Sequence, residues 1–180
     1  MITPIDYTRI GSPLGDIVLA SINDALVGIW FDGQKYQPPV DERWRHRPEA
    51  PVLARAAAQL AEYFAGARTR FELPLAPAGT PFQRAVWDAI AAVPAGATIT
   101  YATLAANAGR PGSARAAGAA TGRNPLSIVI PCHRIVGSGG ALTGYAGGLP
   151  RKRALLSLER DGLMAPAAAP ATTTPARRAA

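Results

Sequence analysis

The sequence has few of the side chains that bind metal ions or form disulfides. Among its 180 residues there are one cysteine, Cys132, and two histidines, His46 and His133. A single cysteine excludes an internal disulfide framework and is typical of a reducing compartment. It also excludes a cysteine-based zinc site, and two histidines are too few for a histidine-based one. We therefore expect no bound metal.

Long apolar runs are missing as well. No stretch approaches the roughly 18 apolar residues of a membrane span. The first residues carry Asp6, Arg9 and Asp16 where a signal peptide would have an apolar core. We therefore expect a protein without a membrane partner that resides in the cytoplasm.

Acidic residues are scarce in the second half of the chain. Residues 1–80 carry 8 Lys/Arg and 9 Asp/Glu, whereas residues 81–163 carry 9 Lys/Arg and only 3 Asp/Glu. Two further arginines near the C-terminus bring the formal net charge to +7. A basic second half is typical of a surface that faces a polyanion such as nucleic acid, although a merely solvated basic surface has the same composition.

Residues 1–78 have the pattern of a small β-sheet followed by a helix. Alternating and apolar runs within 5–31 predict three strands joined by turns, and the polar stretch 32–49 predicts a loop. Apolar residues at helical spacing predict a helix over 51–64. Because this region contains no convincing catalytic group, we expect it to be a scaffold domain.

Residues 79–163 have the pattern of a second, mostly helical domain. Residues 80–83, Thr-Pro-Phe-Gln, supply an N-cap, a first-turn proline and a capping box for its first helix. Residues 137–144 predict a hairpin-like wing. The predicted fold class is α/β, of the α+β type, with an N-terminal sheet domain and a winged helix-turn-helix-like C-terminal domain. Residues 164–180 lack the apolar content of a folded segment and are expected to form a disordered tail.

Two short helices joined by a Gly-containing turn predict the helix-turn-helix itself. Thr100 is expected to cap the first, over 101–108, and Ser113 the second, over 114–121. The second helix consists of small residues apart from Arg115, so another surface can approach it closely. By itself such a helix is more often packed against protein, but the basic half and the helix-turn-helix spacing favour contact with nucleic acid.

The only cysteine lies between an apolar segment and a pair of basic residues. Residues 128–136 read Ile-Val-Ile-Pro-Cys-His-Arg-Ile-Val, which places the thiol at the end of a buried segment. Cationic neighbours lower the pKa of a thiol and make it a nucleophile. The competing interpretation is a small buried hydrophobic residue, the commoner role of a lone cysteine.

A helix is predicted over 149–161, and Glu159 lies on its apolar face. Acidic residues on such a face are rarely buried without a partner. His133 is one candidate partner, and it would complete a set of nucleophile, base and orienting acid. The alternative partners are two basic residues of the same helix, Lys152 and Arg153.

Together these residues resemble the O6-alkylguanine-DNA alkyltransferases, also called methylated-DNA–protein-cysteine methyltransferases. Pro131-Cys132-His133-Arg134, preceded by Asn124-Pro125, matches the active-site signature of that family. The resemblance implies a single-turnover repair protein that acts as a monomer on double-stranded DNA carrying alkylated bases, without a cofactor. Further matching blocks, in order and with matching spacing, are Phe82-Gln83, Val86-Trp87, Thr100-Tyr101, Ala114-Arg115-Ala116, residues 144–149, Arg151-Lys152, and Leu155-Leu156 with Glu159.

The resemblance also implies catalytic roles. Cys132 would attack the alkyl carbon of O6-alkylguanine, or less readily of O4-alkylthymine, and keep the alkyl group as a thioether. His133 would take the thiol proton through a water, and Glu159 would orient His133. Tyr101 would help to rotate the nucleotide out of the stack and then donate to the base, and Asn124 would hold the turn beside the active site. Since water does not readily cleave a thioether, no turnover is expected.

The DNA-binding residues implied by the resemblance lie mainly on the small-residue helix, where Arg115 would fill the space left by the flipped base. The other members of this set are Tyr101, Ser113, Ala114 and Ala116. The implied substrate pocket consists of Phe82, Ile135, Tyr145, Ala146 and Gly147. Because Gly147 and Ser127 are small, we expect the pocket to admit alkyl groups larger than methyl.

Two other functions fit parts of the sequence. A DNA-binding damage sensor or regulator would use the same helix-turn-helix with an inert or redox-sensing Cys132. However, Arg115 without Asn, Gln or Lys on the same helix is a poor reader of base sequence. A Cys–His hydrolase would turn over repeatedly on an ester or amide, but no segment indicates the acyl pocket and oxyanion hole that such an enzyme requires.

Overall fold

The computed structural model describes residues 3–162, so the predicted tail lies outside the described residues. The predicted fold class is confirmed, with a small sheet first and helices after it. The first half contains β1 (Ile5–Ile10), β2 (Ile17–Ile22), β3 (Ala25–Phe31), β4 (Trp44–His46) and α1 (Pro51–Phe64). The second half contains α2 (Pro81–Ala91), β5 (Ile99–Thr100), α3 (Tyr101–Asn107), α4 (Ala114–Gly122), β6 (Ile135–Val136) and α5 (Leu149–Asp161), with 3₁₀ turns at Cys132–Arg134 and Ser138–Gly140.

The N-terminal sheet has the strand order β3-β2-β1-β4. The first three strands are antiparallel neighbours, as the turns in the sequence predict, and β4 adds to β1 in parallel. This strand corrects the expectation that 32–49 is entirely loop. Its anchor is the buried indole of Trp44, which packs against Tyr7 and Trp30 with ring centroids 5.8 and 6.3 Å apart.

Both faces of this sheet are covered. Helix α1 packs on one face and contributes Leu53, Ala56 and Leu60 to the main core. On the other face, Trp30 and Trp44 form a second apolar cluster with Val18 and Ala20. Strand β2 is therefore buried along nearly its whole length. Trp30 reaches its position because Gly28 has no side chain, and the indole occupies the space that a Cβ would need.

The second half begins as the capping signals predict. The Thr80 hydroxyl accepts from the Gln83 amide at 3.2 Å, and the Gln83 side chain accepts from the Thr80 amide at 2.9 Å. Thr100 caps α3 by accepting from the Thr103 amide. The predicted Ser113 cap is wrong, because the Ser113 backbone (φ −97°, ψ 35°) lacks the extended conformation of an N-cap and its side chain makes no capping bond.

Helix α4 has one packed and one exposed face. Ala117 and Ala120 are buried, and the Trp87 indole donates to the Ala120 carbonyl at 2.9 Å. Arg115 and Ala116 are exposed. Close packing against protein therefore explains half of this small-residue helix and leaves the other half open to a partner.

The predicted wing is present as a loop that turns back on itself, without the paired strands of a β-hairpin. Residues 137–144 contain a 3₁₀ turn, and they supply no strand to the described fold. The Gly137 amide donates to the Ala141 carbonyl at 2.7 Å and closes the loop, but no strand pairing continues from this bond in the described structure. The preceding strand β6 pairs instead with β5, in parallel.

The two halves share one hydrophobic core and are also joined through their backbones. The Ile29 amide donates to the Pro125 carbonyl at 2.8 Å, and the Ser127 amide donates to the Ile29 carbonyl at 2.9 Å. The segment that leads to Cys132 is therefore fastened to β3 of the N-terminal sheet. Among the described residues, no helix combines the length and hydropathy needed to cross a membrane.

Replacing Gly28 with alanine is expected to destabilise the protein by about 1–3 kcal/mol, the range typical of overpacked cores. The added Cβ would lie 1.7 Å from the Trp30 indole, so the ring would have to leave its place on the sheet. Urea denaturation measures the change in the free energy of unfolding. Gly11→Ala is the matched control, since no atom lies within 4 Å of its added Cβ. Equal losses in the two variants would contradict this explanation.

Candidate functional site

A cavity of about 360 Å³ opens at Cys132. Tyr101 of α3 and the C-terminal half of α4 form one side of it, and residues 144–146 form another. The N-terminal half contributes Lys35 and Tyr36 to the lining, although the sequence predicted no functional role for that half. The cavity therefore lies between the two halves of the chain.

The structure brings only part of the predicted residue set to this cavity. Cys132, Tyr101, Tyr145 and Ala146 line it. The DNA-binding candidates at the start of α4 lie outside it, with Arg115 and Ala116 exposed and Ser113 and Ala114 half-buried.

Phe82, Ile135 and Gly147 do not line the cavity, which corrects the predicted substrate pocket. Phe82 lies under the Arg110 guanidinium at 5.4 Å, and Ile135 is fully buried in the core. Gly147 is required by packing, because an added Cβ would lie 2.8 Å from the Tyr145 ring. Ser127 is buried and bonded to Gln34, so the small residues on which the prediction of larger adducts rested are not pocket walls.

The backbone before Cys132 is folded into two tight turns. The Val129 amide donates to the Ser127 carbonyl, and the Cys132 amide donates to the Ile130 carbonyl. Each of these hydrogen bonds closes a turn of three residues. The first turn forces Ile128 to φ +73°. A β-branched residue in this region costs about 1–3 kcal/mol and persists only where its surroundings enforce it. The sequence shows this segment to be apolar but not that it is strained.

Asn124 holds this strained segment in place. Its amide nitrogen donates to the Ile130 carbonyl at 2.8 Å and to the Cys132 sulfur at 3.2 Å. Its side-chain oxygen accepts from the Leu126 amide at 3.0 Å. One buried side chain thus fixes both ends of the turn and contacts the thiol itself.

The pKa of the Cys132 thiol is raised, which corrects the expectation that its basic neighbours lower it. Burial is the largest cause, and the Asn124 hydrogen bond and the charge of Lys152 act in the opposite direction. The side chains of the adjacent residues His133 and Arg134 are bonded to Glu159 and not to the thiol.

Glu159 is the centre of a buried network. Its carboxylate lies 2.7 Å from His133 Nε2 and accepts from Arg134 at 2.8 Å through both Nε and an Nη atom. The Tyr63 hydroxyl donates to it at 2.8 Å. The predicted His133 partner is confirmed, and the alternative partners on α5 are wrong. Tyr63 also shows that the N-terminal half contributes a side chain to this network.

The network determines which nitrogen of His133 is available. Burial by itself would raise the pKa of Glu159, but hydrogen bonds from His133 and Arg134 outweigh it and lower that pKa well below its usual range. Burial also lowers the pKa of His133, so the ring is neutral. A neutral ring next to a carboxylate carries its proton on Nε2. Nδ1 is then the acceptor, and it is buried with no hydrogen-bond partner in the described structure.

Lys152 is a functional candidate that the sequence reasoning missed. It is fully buried, and its ammonium donates to the carbonyls of Ile135, Thr143 and Gly144 at 2.5, 2.9 and 3.3 Å. It therefore fastens the loop on one side of the cavity to the strand that follows Cys132. Its burial could have been predicted from its spacing, since a lysine three residues before Leu155 lies on the buried face of α5.

Two tyrosines, Tyr101 and Tyr145, line the cavity and carry hydroxyl groups that can form hydrogen bonds. The Tyr101 hydroxyl donates to the Thr143 carbonyl at 3.3 Å, and its ring packs beside Gly118 of α4. The Tyr145 hydroxyl is buried and has no hydrogen-bond partner in the described structure. Burial raises the pKa of both groups, so both remain protonated donors at neutral pH.

The arrangement can support nucleophilic displacement by sulfur. It has one thiol at the cavity, a neutral imidazole with a free acceptor nitrogen, and two tyrosines in the cavity lining. The described residues contain no cluster of His, Cys, Asp and Glu side chains that would hold a metal ion.

Comparisons with known proteins agree with this chemistry. Two family models match the chain: the ribonuclease-like domain of 6-O-methylguanine DNA methyltransferase over residues 5–77, and the DNA-binding domain of the same protein over residues 81–161. The chain is 45% identical over 156 residues to the methylated-DNA–protein-cysteine methyltransferase of Mycolicibacterium paratuberculosis, which covers 87% of this chain and 93% of that protein. It is 42% identical over 157 residues to the constitutive enzyme of that name from Bacillus subtilis, covering 86% of this chain and 94% of that protein.

A solved structure of similar architecture is that of Mycobacterium tuberculosis OGT in complex with DNA. It superposes with a TM-score of 0.80 at 42% sequence identity, and the match covers 86% of this chain and 92% of that one.

The free energy of unfolding is expected to fall as the pH falls below about 4.5, the ordinary pKa of a glutamate. The unfolded chain takes up a proton on Glu159 before the folded protein does, so the stabilisation is present above that pH and lost below it. Glu159→Gln should flatten this part of the pH profile and, by leaving Arg134 unpaired, cost about 3–5 kcal/mol at neutral pH.

Urea denaturation across the acid range measures both effects. Asp88→Asn is the control, because the carboxylate of Asp88 on α2 is exposed and forms no salt bridge among the described residues. An acid profile that changes equally in both variants would show that Glu159 is not the responsible group.

Proposed function

Because the chain belongs to the methylated-DNA–protein-cysteine methyltransferase family, we propose that Cys132 is the residue that accepts the alkyl group. The protein repairs DNA by direct transfer of an alkyl group from O6-alkylguanine to a cysteine. Cys132 is the only cysteine in the sequence. The observation that carries the assignment is that its thiol lies at a cavity large enough for a nucleobase, while the next residue in the chain, His133, has a free acceptor nitrogen.

The reaction is a single displacement at carbon. The sulfur of Cys132 forms a bond to the alkyl carbon while the bond from that carbon to O6 breaks. The thiol loses one proton and the departing guanine gains one, so the transfer needs neither water nor a redox partner. The product is a thioether, which has no easy route of hydrolysis, and each molecule therefore acts once.

His133 serves as the base for this step. Its Nε2 is committed to Glu159 and its Nδ1 is free to accept, directly or through one water, the proton that the thiol releases. The Glu159 carboxylate stabilises the imidazolium that forms. A nearby base is needed because burial raises the pKa of the thiol and keeps it protonated at neutral pH.

The tyrosines and the loop beside them receive the base. Tyr101 and Tyr145 line the cavity as protonated donors, and either hydroxyl is suited to a lone pair of the purine. A hydrogen bond to a ring nitrogen favours departure of the guanine, because that nitrogen becomes more basic as the alkyl–oxygen bond breaks. Asn124 and Lys152 act as positioning residues, the first on the thiol and the second on residues 143–144.

DNA is held by the exposed face of α4. A base inside a duplex is inaccessible to a buried thiol, so the nucleotide must leave the stack. The small side chains of Ala114 and Ala116 allow close approach of the duplex, and Arg115 is the one long side chain able to replace the extruded base. The separate family matches over 5–77 and 81–161 support a division into a scaffold domain, 1–78, and a DNA-binding and transfer domain, 79–163.

Alkyl transfer is tested by the intact mass of the protein after incubation with a duplex that contains one O6-methylguanine. We expect the mass of one methylene group to be added once per molecule and the addition to be lost in Cys132→Ala. Tight binding to the lesion duplex without a mass increase would favour a damage sensor. Repeated turnover on a small ester would favour a hydrolase.

The single-turnover rate is expected to be nearly constant above about pH 6.5, the ordinary pKa of histidine, and to fall in acid as His133 becomes protonated. The rate falls toward acid and not toward alkaline pH because the pKa of His133 is lowered, which keeps this base neutral at and above neutral pH. His133→Gln should lower the rate by about 10²–10⁴-fold, the usual worth of a general base, and make it rise with pH.

Rapid-quench measurements on both proteins, with the methylated duplex in excess, give the two profiles. A wild-type rate that rises about tenfold per pH unit between about pH 7 and 9 would mean that Cys132 ionises without help from His133.

A further inference from the structure

We propose that Lys35, Tyr36 and Arg123 form a second DNA contact, which holds backbone phosphates of the lesion-bearing strand at the mouth of the Cys132 cavity. This inference rests on the proposed function, since it takes DNA as the ligand. It adds a binding site that the N-terminal half contributes in part and that is separate from the exposed face of α4. We call these three residues the mouth cluster.

The mouth cluster is an aromatic ring between two cations. Lys35 Nζ lies 4.9 Å and the Arg123 guanidinium 4.8 Å from the centroid of the Tyr36 ring. The ring is 49% exposed, although most large apolar side chains of the described chain are buried. Both cations are exposed as well, and within residues 3–162 neither forms a salt bridge with a carboxylate. Two unneutralised cations around an exposed ring are suited to a polyanion that also has flat or apolar parts.

The cluster is held in a fixed position by the active-site loop. The Lys35 amide donates to the Ala146 carbonyl at 3.2 Å, next to a wall of the cavity. Tyr36 has φ +68°, which is uncommon for a bulky residue. Buried Gln34 anchors the same turn through the Phe31 amide and the Ser127 hydroxyl. A strained residue that its surroundings hold in place is typical of a functional site.

The location of the cluster indicates what it binds. Lys35 and Tyr36 line the cavity together with Cys132, and Arg123 directly follows α4, whose C-terminal half forms another wall. When a base lies inside the cavity, its sugar and the adjoining phosphates must remain at the mouth, because they connect it to the duplex. Phosphates at that position would meet Lys35 and Arg123, and the Tyr36 ring would cover the sugar between them.

Salt dependence of DNA binding provides the test. In the Cys132→Ala background, affinity for a duplex with one O6-methylguanine is measured at several salt concentrations. Lys35→Ala and Arg123→Ala should each reduce the slope of log K against log[salt] by about one unit, as expected for one lost phosphate contact. Lys35→Arg and Arg123→Lys should restore the slope. Tyr36→Ala should weaken binding without changing the slope, and Tyr36→Phe should bind as the parent does.

Arg55→Ala is the matched control, because Arg55 is an exposed cation on α1 outside the cavity lining. Slopes for Lys35→Ala and Arg123→Ala that equal those of the parent and of Arg55→Ala would overturn the proposal. So would a reduced slope that the charge-retaining variants fail to restore, since that result indicates a structural role. Failure of alkyl transfer to wild-type Cys132 is a separate outcome, which the mass measurement detects, and the binding slopes remain decisive in that case.

Discussion

The buried carboxylate of Glu159 is the interaction on which the site depends. Burial alone favours its neutral form, yet hydrogen bonds from His133, Arg134 and Tyr63 keep it ionised. The negative charge in turn fixes the proton of His133 on Nε2 and leaves Nδ1 as a free acceptor. The same charge neutralises Arg134, which would otherwise be a buried cation. The Glu159 carboxylate thus both orients the His133 ring and stabilises the second half of the chain.

A second constraint is the strained segment before the thiol. Ile128 adopts a left-handed conformation that a β-branched residue normally avoids, and the turn survives because Asn124 bonds to both of its ends. A backbone hydrogen bond from the Ser127 amide to the Ile29 carbonyl ties the same turn to the N-terminal sheet. A nucleophile held in this way cannot move toward its substrate. The nucleotide must therefore be brought to the thiol, which agrees with extrusion of the base from the duplex.

The two halves of the chain form one site, although a functional role was predicted only for the second. Tyr63 supports the Glu159 carboxylate, Gln34 bonds to the turn before the cysteine, and Lys35 bonds to the loop beside the cavity. Each of these contacts joins a residue of the sheet domain to a residue more than eighty positions away in the sequence. The N-terminal half therefore determines the geometry of the site and one wall of its cavity.

The sequence by itself determined the local features of this protein. The capping box at 80–83 and the helix over 51–64 depend only on spacing and side-chain chemistry, and the structure contains both. The same reasoning predicted His133 as a partner of Glu159, and the two side chains are in contact. Tertiary structure decided the rest. Burial in the folded protein raises the pKa of the Cys132 thiol. Residues 137–144 form a loop without paired strands, and the packing of the two halves determines which residues line the cavity. It also brought Tyr63 to a carboxylate 96 residues away. Such contacts depend on how the two halves pack together, and no local pattern in the sequence encodes that packing.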